Sequence, residues 1–281
     1  MAVAYLPSPA TGVWHLAVIP VRGYALCVLA AVVAGLWLTD RRYRLTGGRP
    51  GVILDLATVA VPVGLVGARA YSVVTDFGRY FGPGRDWTDL LRVWDGDMGV
   101  AGAVAAGAVA AWFYCRRTGL AAGPIALAAA PALAVAQAIS VWGNWFSQDL
   151  YGSPSGLPWA VAIAPQHRAA GLQSAATFQP LFLYESLLDL VVAVSIVVAI
   201  RRYALSGDQA FALYAALWTA VAAVMQGLRV DYTPRLLGLP TSMVAMLVVL
   251  AAACAYLAAI RRRRRQRLAP QPAEPSPQVQ H

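Results

Sequence analysis

The sequence predicts an all-α membrane protein, with about seven transmembrane helices and a small extracytoplasmic cap. Three observations carry that expectation. Of 281 residues, 59% are hydrophobic and only 12% charged, whereas soluble domains are roughly one-quarter charged. The apolar residues come in runs of about twenty, the length a helix needs to cross a hydrocarbon core of ~30 Å. Every basic residue is an arginine, and the arginines gather at alternate ends of these runs.

The predicted crossings are 20–39, 51–74, 98–115, 122–142, 181–200, 209–228 and 241–260. No basic leader precedes the first run, whose first arginine is Arg22, so it is expected to be a retained helix and not a cleaved signal. Cys27 follows Tyr24, Ala25 and Leu26, which is not the small-residue context of a lipidated cysteine. The second run carries Asp55 and Arg69. Small residues crowd the third (Gly102, Ala103, Ala105, Ala106, Gly107) and the fourth (Ala126, Ala128, Ala129, Ala130), which lets helix backbones approach closely in lipid. Glu185 and Asp189 fall in the fifth. Residues 1–19 are expected to form an extracytoplasmic segment, 20–260 the membrane domain with 143–180 as its outer cap, and 261–281 a basic, then Pro- and Gln-rich, disordered tail.

Fourteen of the 22 arginines lie on one set of alternate loops: Arg41, Arg42, Arg44 and Arg49, Arg116 and Arg117, Arg201 and Arg202, and Arg261, Arg262, Arg263, Arg264, Arg265 and Arg267. The acids there are only Asp40, Asp208 and Glu274, so the positive-inside rule puts this side in the cytoplasm and the amino terminus outside. Arginines split between helix ends form no single basic face, which argues against nucleic acid as a partner. The opposite segments, 75–97 and 143–180, carry mixed charge suited to substrate chemistry. Residues 159–164 are too short to span and read as a strand.

Ionised groups within a bilayer are costly and need partners or water. A structural ion pair of Arg69 with Glu185 is one reading of these residues, and a polar cavity opening outward is another. From Trp142 to Gly152, polar side chains (Asn144, Ser147, Gln148, Asp149) alternate with aromatic ones just past a helix end, as in an interfacial site or an aromatic belt. His15, His167 and His281 are scattered, and nothing has metal-ligand spacing, so neither metal nor cofactor is expected. His167 beside Arg168 reads as a solvated loop histidine, with a proton carrier as the rarer role. Cys27, Cys115 and Cys254 imply no disulfide framework.

Several outer motifs together resemble the prolipoprotein diacylglyceryl transferases, seven-helix enzymes of the bacterial inner membrane. They are Tyr24; Gly67 with Arg69; Arg92, Val93, Trp94, Asp95 and Gly96; the stretch from Gly143 to Gly152; Pro180 with Leu183, Tyr184 and Glu185; and Arg229. The resemblance implies transfer of diacylglycerol from phosphatidylglycerol to the lipobox cysteine of preprolipoprotein signal peptides, releasing glycerol phosphate. It assigns catalysis to Tyr24 and Asp149, substrate binding to Arg69, Asn144, Gly152 and Arg229, and structural polar roles to Asp95 and Glu185.

The sequence departs from the family pattern where charge is used. Val141 and Ala222 stand at positions of functional arginines, Ser147 at an asparagine, Asp149 and Gln226 at glutamates, and Ala101 and Gln179 at histidines. Two rivals to the transferase therefore stay open. One is a catalytically silent relative that binds lipid or lipoprotein precursors. The other is a small transporter, although no internal repeat or broken helix pair is visible. The topology is testable first: a cysteine replacing Ser155 should react with an impermeant maleimide in intact cells, and labelling only after lysis would reverse the assignment.

Overall fold

The computed structural model describes residues 5–9, 11–16, 19–75, 77, 81, 99–230, 235–236 and 238–268. Within them seven long helices follow one another, α1 Gly23–Leu45, α2 Val52–Thr75, α3 Val100–Thr118, α4 Ala122–Ser140, α6 Leu181–Tyr203, α7 Gly207–Leu228 and α8 Thr241–Leu268, with the short α5 Gly143–Ser147 after α4. Three two-residue to four-residue hairpins complete the described chain: β1 Val13–Leu16 with β2 Ile19–Arg22, β3 Val161–Ala162 with β4 Thr177–Phe178, and β5 Arg235–Leu236 with β6 Leu239–Pro240. Six helices are long and apolar enough to cross a membrane. The remaining long one, α3, is composed mainly of Ala and Gly and closes on Arg116 and Arg117, which lowers its apolar content.

Several ends differ from the sequence expectation, for local reasons. Residues 19–22 pair as β2, so α1 begins at Gly23 and not at residue 20. At its other end α1 runs six residues past 39 to Leu45, because cations in a last turn offset the negative end of the helix dipole. Asp40 there pairs with Arg44 at 2.7 Å, one turn on. By the same logic α8 continues through the arginine run to Leu268, so 261–268 is helix and not tail, while 269–281 lies outside the described residues. The predicted fourth crossing stops at Ser140, and its last turn is replaced by α5.

Helix α4 is the axis. Ala130, Ala132 and Ala134 have 0% exposure, and the helix packs against α1, α6 and α7. Hydrophobic association is weak between helices in lipid, so close van der Waals contact does this work and small side chains permit it. Gly35 of α1 faces Ala136 so closely that an added Cβ would stand 3.1 Å away. At Gly207 of α7 an added Cβ would overlap the backbone of Gly123. Helices α2 and α3 repeat the pattern: Gly67 meets Gly102 and Ala106, and Gly64 meets Ala103.

One core cluster joins α4, α6, α7 and α8 around Tyr214, Ile196 and Trp218. A second joins α1 to α4 near the arginine-rich helix ends, around Tyr43, Ile53 and Cys115. At the opposite end, residues 148–180 form a cap whose core of Tyr151, Val161, Ile163 and Phe178 packs on Phe182 of α6. The strand expected at 159–164 is β3, and the amino-terminal segment joins it, since Leu6 bridges Val161 in parallel.

Replacing Gly102 by Val forces apart backbones that touch at Gly67. We expect a loss of about 1–3 kcal/mol, the usual cost of overpacking, read as a lower midpoint of thermal unfolding in detergent. Gly227, with nothing within 4 Å of an added Cβ, should tolerate Ala with no loss, since Gly in a helix costs about 1 kcal/mol relative to Ala.

Candidate functional site

At the cap end an apolar groove of about 540 Å³ opens sideways between α1 and α6, with α4 as its floor. Leu26, Cys27 and Ala30 form one wall, and Leu183, Leu187 and Leu190 form the other. Trp142 Nε1 donates to Ser186 Oγ at 3.1 Å, and that hydroxyl donates to the Ala138 carbonyl at 2.8 Å, pinning α4 to α6. Aromatic rings rim the mouth: Trp14 meets Phe146 edge-on at 5.7 Å, and Trp142 meets Phe182 at 5.3 Å.

The loop over this mouth is shaped by close approaches that only glycine allows. An added Cβ on Gly143 would lie 2.6 Å from the Tyr24 ring, and one on Gly23 would lie 2.6 Å from the Phe146 ring. Gly152 N–H donates to the Gln179 carbonyl at 3.0 Å, and a Cβ there would press on Gln179 and Leu181. Gly152 thus holds the loop against the cap. Gln148 and Leu150 adopt left-handed backbone angles, φ 57° and 56°, which cost a residue with a side chain about 1–2 kcal/mol.

Tertiary contacts offset that cost at Gln148. Its amide Nε2 donates to the Pro9 carbonyl at 3.2 Å, and its Oε1 accepts the Ala164 N–H at 2.7 Å, so one buried side chain ties the amino-terminal segment, the loop and the cap together. Its place in the polar-aromatic stretch drew attention to the residue; the bridge joins segments 139 and 16 residues away, a pairing no local pattern reveals.

Of the residues singled out in the sequence, Tyr24, Asp149, Glu185 and Arg229 converge electrostatically: Tyr24 lies in the field of Asp149 and Glu185, and Glu185 in that of Arg229. Asn144 is buried in the first turn of α5, where its carbonyl accepts the Asp149 N–H at 3.2 Å. Asp149 itself is exposed. The structure sets Arg229 beside Glu185, a role the sequence had offered to Arg69. Arg69 is buried on α2, 8% exposed, so it does not face lipid. Asp95, with the motif around it, lies outside the described residues.

The substituted positions are filled by packing. Val141, 9% exposed, closes the end of α4, and Ala222, 5% exposed, sits in the α4–α6–α7 core. Gln226 accepts a hydrogen bond from Arg229 Nη1 at 3.0 Å through its Oε1, and Glu185 lies in the field of the same guanidinium. Exposed His167 ends a 3-10 turn, and its carbonyl accepts the Tyr151 hydroxyl at 2.7 Å. Deeper in the bundle, Asp189 at 0% exposure, Gln137 and Tyr214 form a buried polar group in which both carboxylate oxygens of Asp189 lack a hydrogen-bond partner among the described residues. Such a group calls for interior water.

An apolar groove open to the side, on two helices that also carry members of a group of acid, phenol and guanidinium, suits a molecule that is part lipid and part charged head. Comparison with known proteins agrees. Residues 11–260 match the prolipoprotein diacylglyceryl transferase family. The chain is 46% identical over 271 residues to phosphatidylglycerol–prolipoprotein diacylglyceryl transferase 2 of Streptomyces coelicolor, covering 96% of this chain and 86% of that one. It is 45% identical over 258 residues to the enzyme of Streptomyces griseus, covering 92% and 78%. Against that of Mycobacteroides abscessus it is 40% identical over 268 residues, covering 91% and 78%. The chain therefore belongs to the prolipoprotein diacylglyceryl transferase family.

Proposed function

We propose that this protein moves the diacylglyceryl group of phosphatidylglycerol onto the lipobox cysteine of preprolipoproteins. The observation that carries this reading is an apolar groove between α1 and α6 at the cap end, together with the electrostatic grouping of Tyr24, Asp149, Glu185 and Arg229, of which Tyr24 and Glu185 belong to the same two helices. The acyl chains lie in the groove, between Leu26 and Leu187, and the glycerol phosphate head reaches the group of Tyr24, Asp149 and Arg229. The cysteine of the signal peptide arrives beneath the cap. Sulfur attacks the glycerol carbon next to the phosphate, a C–S bond forms, the C–O bond breaks, and glycerol phosphate leaves with the bonding electrons. The thiol proton passes to Asp149, and Tyr24 donates a hydrogen bond to the head.

Fixed positive charge stabilises the departing phosphate, and removing one such contact costs about 3–4 kcal/mol, or roughly 10² to 10³ in rate. Arg229 and Arg69 supply that charge here. With Val141 and Ala222 apolar, the load on these two arginines is greater than in a pattern with four. The orientation follows from the arginine asymmetry: the protein lies in the bacterial cytoplasmic membrane, cap and amino terminus outside, carboxyl terminus inside.

The reading is tested by complementing a strain depleted of its own diacylglyceryl transferase and weighing its lipoproteins by mass spectrometry. Modified lipoproteins are expected from the unaltered chain, and their absence despite normal expression would favour the silent lipid-binding relative. In the same assay Arg229→Ala should lower lipidation by about 10²-fold or more, with the protein still in the membrane. Val141→Arg should raise it by about tenfold, because a charge-assisted contact to phosphate contributes roughly 1.5 kcal/mol or more.

A further inference from the structure

Pro7 and Pro9 flank Ser8 in the amino-terminal segment, and they limit how it pairs with the cap. Proline has no N–H and cannot extend a ladder, so the parallel pairing with β3 stops after Leu6. The Leu6 N–H donates to the Ala160 carbonyl at 2.8 Å, and its carbonyl accepts the Ala162 N–H at 3.0 Å. Side chains make the next ties. Ser8 Oγ donates to the Ala162 carbonyl, Trp145 Nε1 to the Pro7 carbonyl at 3.2 Å and Gln148 Nε2 to the Pro9 carbonyl at 3.2 Å. Tyr5, Leu6 and Pro7 stay exposed, so this strap gains little from burial.

The strap crosses the chemistry. Ser8 lines one cavity with Asn144, Asp149 and Tyr151. At about 10 Å³ that cavity has room for at most one water, so nothing larger enters while Ser8 is in place. Serine ends in CH2OH and cysteine in CH2SH, a difference of one atom. An extended chain thus crosses the cavity of Asp149 on main-chain bonds that any sequence can make, with a cysteine-sized side chain lining it. Adding a strand to a sheet edge is a general way to hold an extended peptide, the main chain supplying affinity and pockets selecting side chains.

We propose that the β3 edge at residues 160–162, with Trp145 and Gln148, is the docking track for the extended segment of the acceptor peptide, and that residues 5–9 occupy it as a stand-in, Ser8 holding the place of the acceptor cysteine. The inference rests on the transfer reading above. A peptide whose cysteine lies two residues beyond the one paired in place of Leu6 makes the same two backbone bonds and brings its sulfur into the cavity of Asp149. The strap must leave first, and the apparent affinity for peptide falls by the fraction of protein in which the track is occupied.

The test uses the full-length protein purified in detergent and a fluorescent lipobox signal peptide whose cysteine is replaced by serine, so that anisotropy reads binding without turnover. L6P removes the donor to Ala160 and should tighten peptide binding about fivefold, the net worth of one hydrogen bond. Unchanged or weaker binding by the folded variant overturns the track. S8C, one atom from the native side chain, tests the register in phosphatidylglycerol liposomes. The introduced sulfur bonds the glycerol carbon, the C–O bond breaks, glycerol phosphate leaves with the bonding electrons, and the thiol proton passes to Asp149. The tryptic fragment 1–22 of S8C should gain one diacylglyceryl group at a rate independent of protein dilution, and that of the unaltered chain should gain none. No gain in S8C, while it still modifies a separate lipobox peptide, overturns the stand-in. Failure of the unaltered chain to modify a separate peptide overturns the transfer reading instead, and the anisotropy result then decides the track by itself.

Discussion

The fold depends on backbones approaching α4 and, in the second pair, α2 approaching α3, without side chains between them. Hydrocarbon provides little hydrophobic reward for bringing helices together, so what remains is dense contact. The row of fully buried alanines on α4 and the glycine contacts of Gly35, Gly207, Gly67 and Gly102 supply it. Polar backbone is satisfied inside each helix, as the bilayer demands. The cost of such packing is that it covers α4 unevenly: α1 and α6 both contact it but leave a groove between them at the cap end. Site and core are consequences of the same spacing.

Much of this was legible in the sequence. The seven apolar runs became the seven long helices, because length and hydropathy are nearly sufficient when the solvent is lipid. The short strand at 159–164 and the cap were visible as a turn-rich insert. What failed were helix ends. Arg41, Arg42 and Arg44 read as a loop by charge, but helix dipoles and the snorkelling of long arginine stems keep such residues helical beyond the hydrocarbon. The arginine run of α8 erred in the same direction. Leu6, which adds a strand to the cap, carries no local signal at all, since its partner Val161 lies 155 residues away.

At the site, residue types were readable and pairings were not. Asn144, Asp149 and Glu185 stood out by their polarity in an apolar chain, and Tyr24 and Arg229 only through the family resemblance. That Glu185 would sit beside Arg229 required knowing that α6 enters the bundle next to the exit of α7. Gly152 was grouped with substrate-binding residues through the family resemblance; its backbone bond to Gln179, which seats the loop, is a pairing that no local pattern reveals. Val141 and Ala222 show the reverse relation, since apolar residues at charged positions of a family pattern have been absorbed into the core. In the proposed transfer the chemistry is left to fewer cations, among them Arg229, which bonds Gln226 and lies in the field of Glu185.

The central claim is that the α1–α6 groove holds the lipid whose diacylglyceryl group is transferred. It is tested most directly with purified protein in phosphatidylglycerol liposomes and a synthetic lipobox peptide, by counting thioether formed and glycerol phosphate released in the same sample. The account predicts equal amounts of the two products, and neither when a bulky residue at Ala30 fills the groove while the protein remains folded. Glycerol phosphate release without thioether, or full transfer with the groove filled, would contradict it.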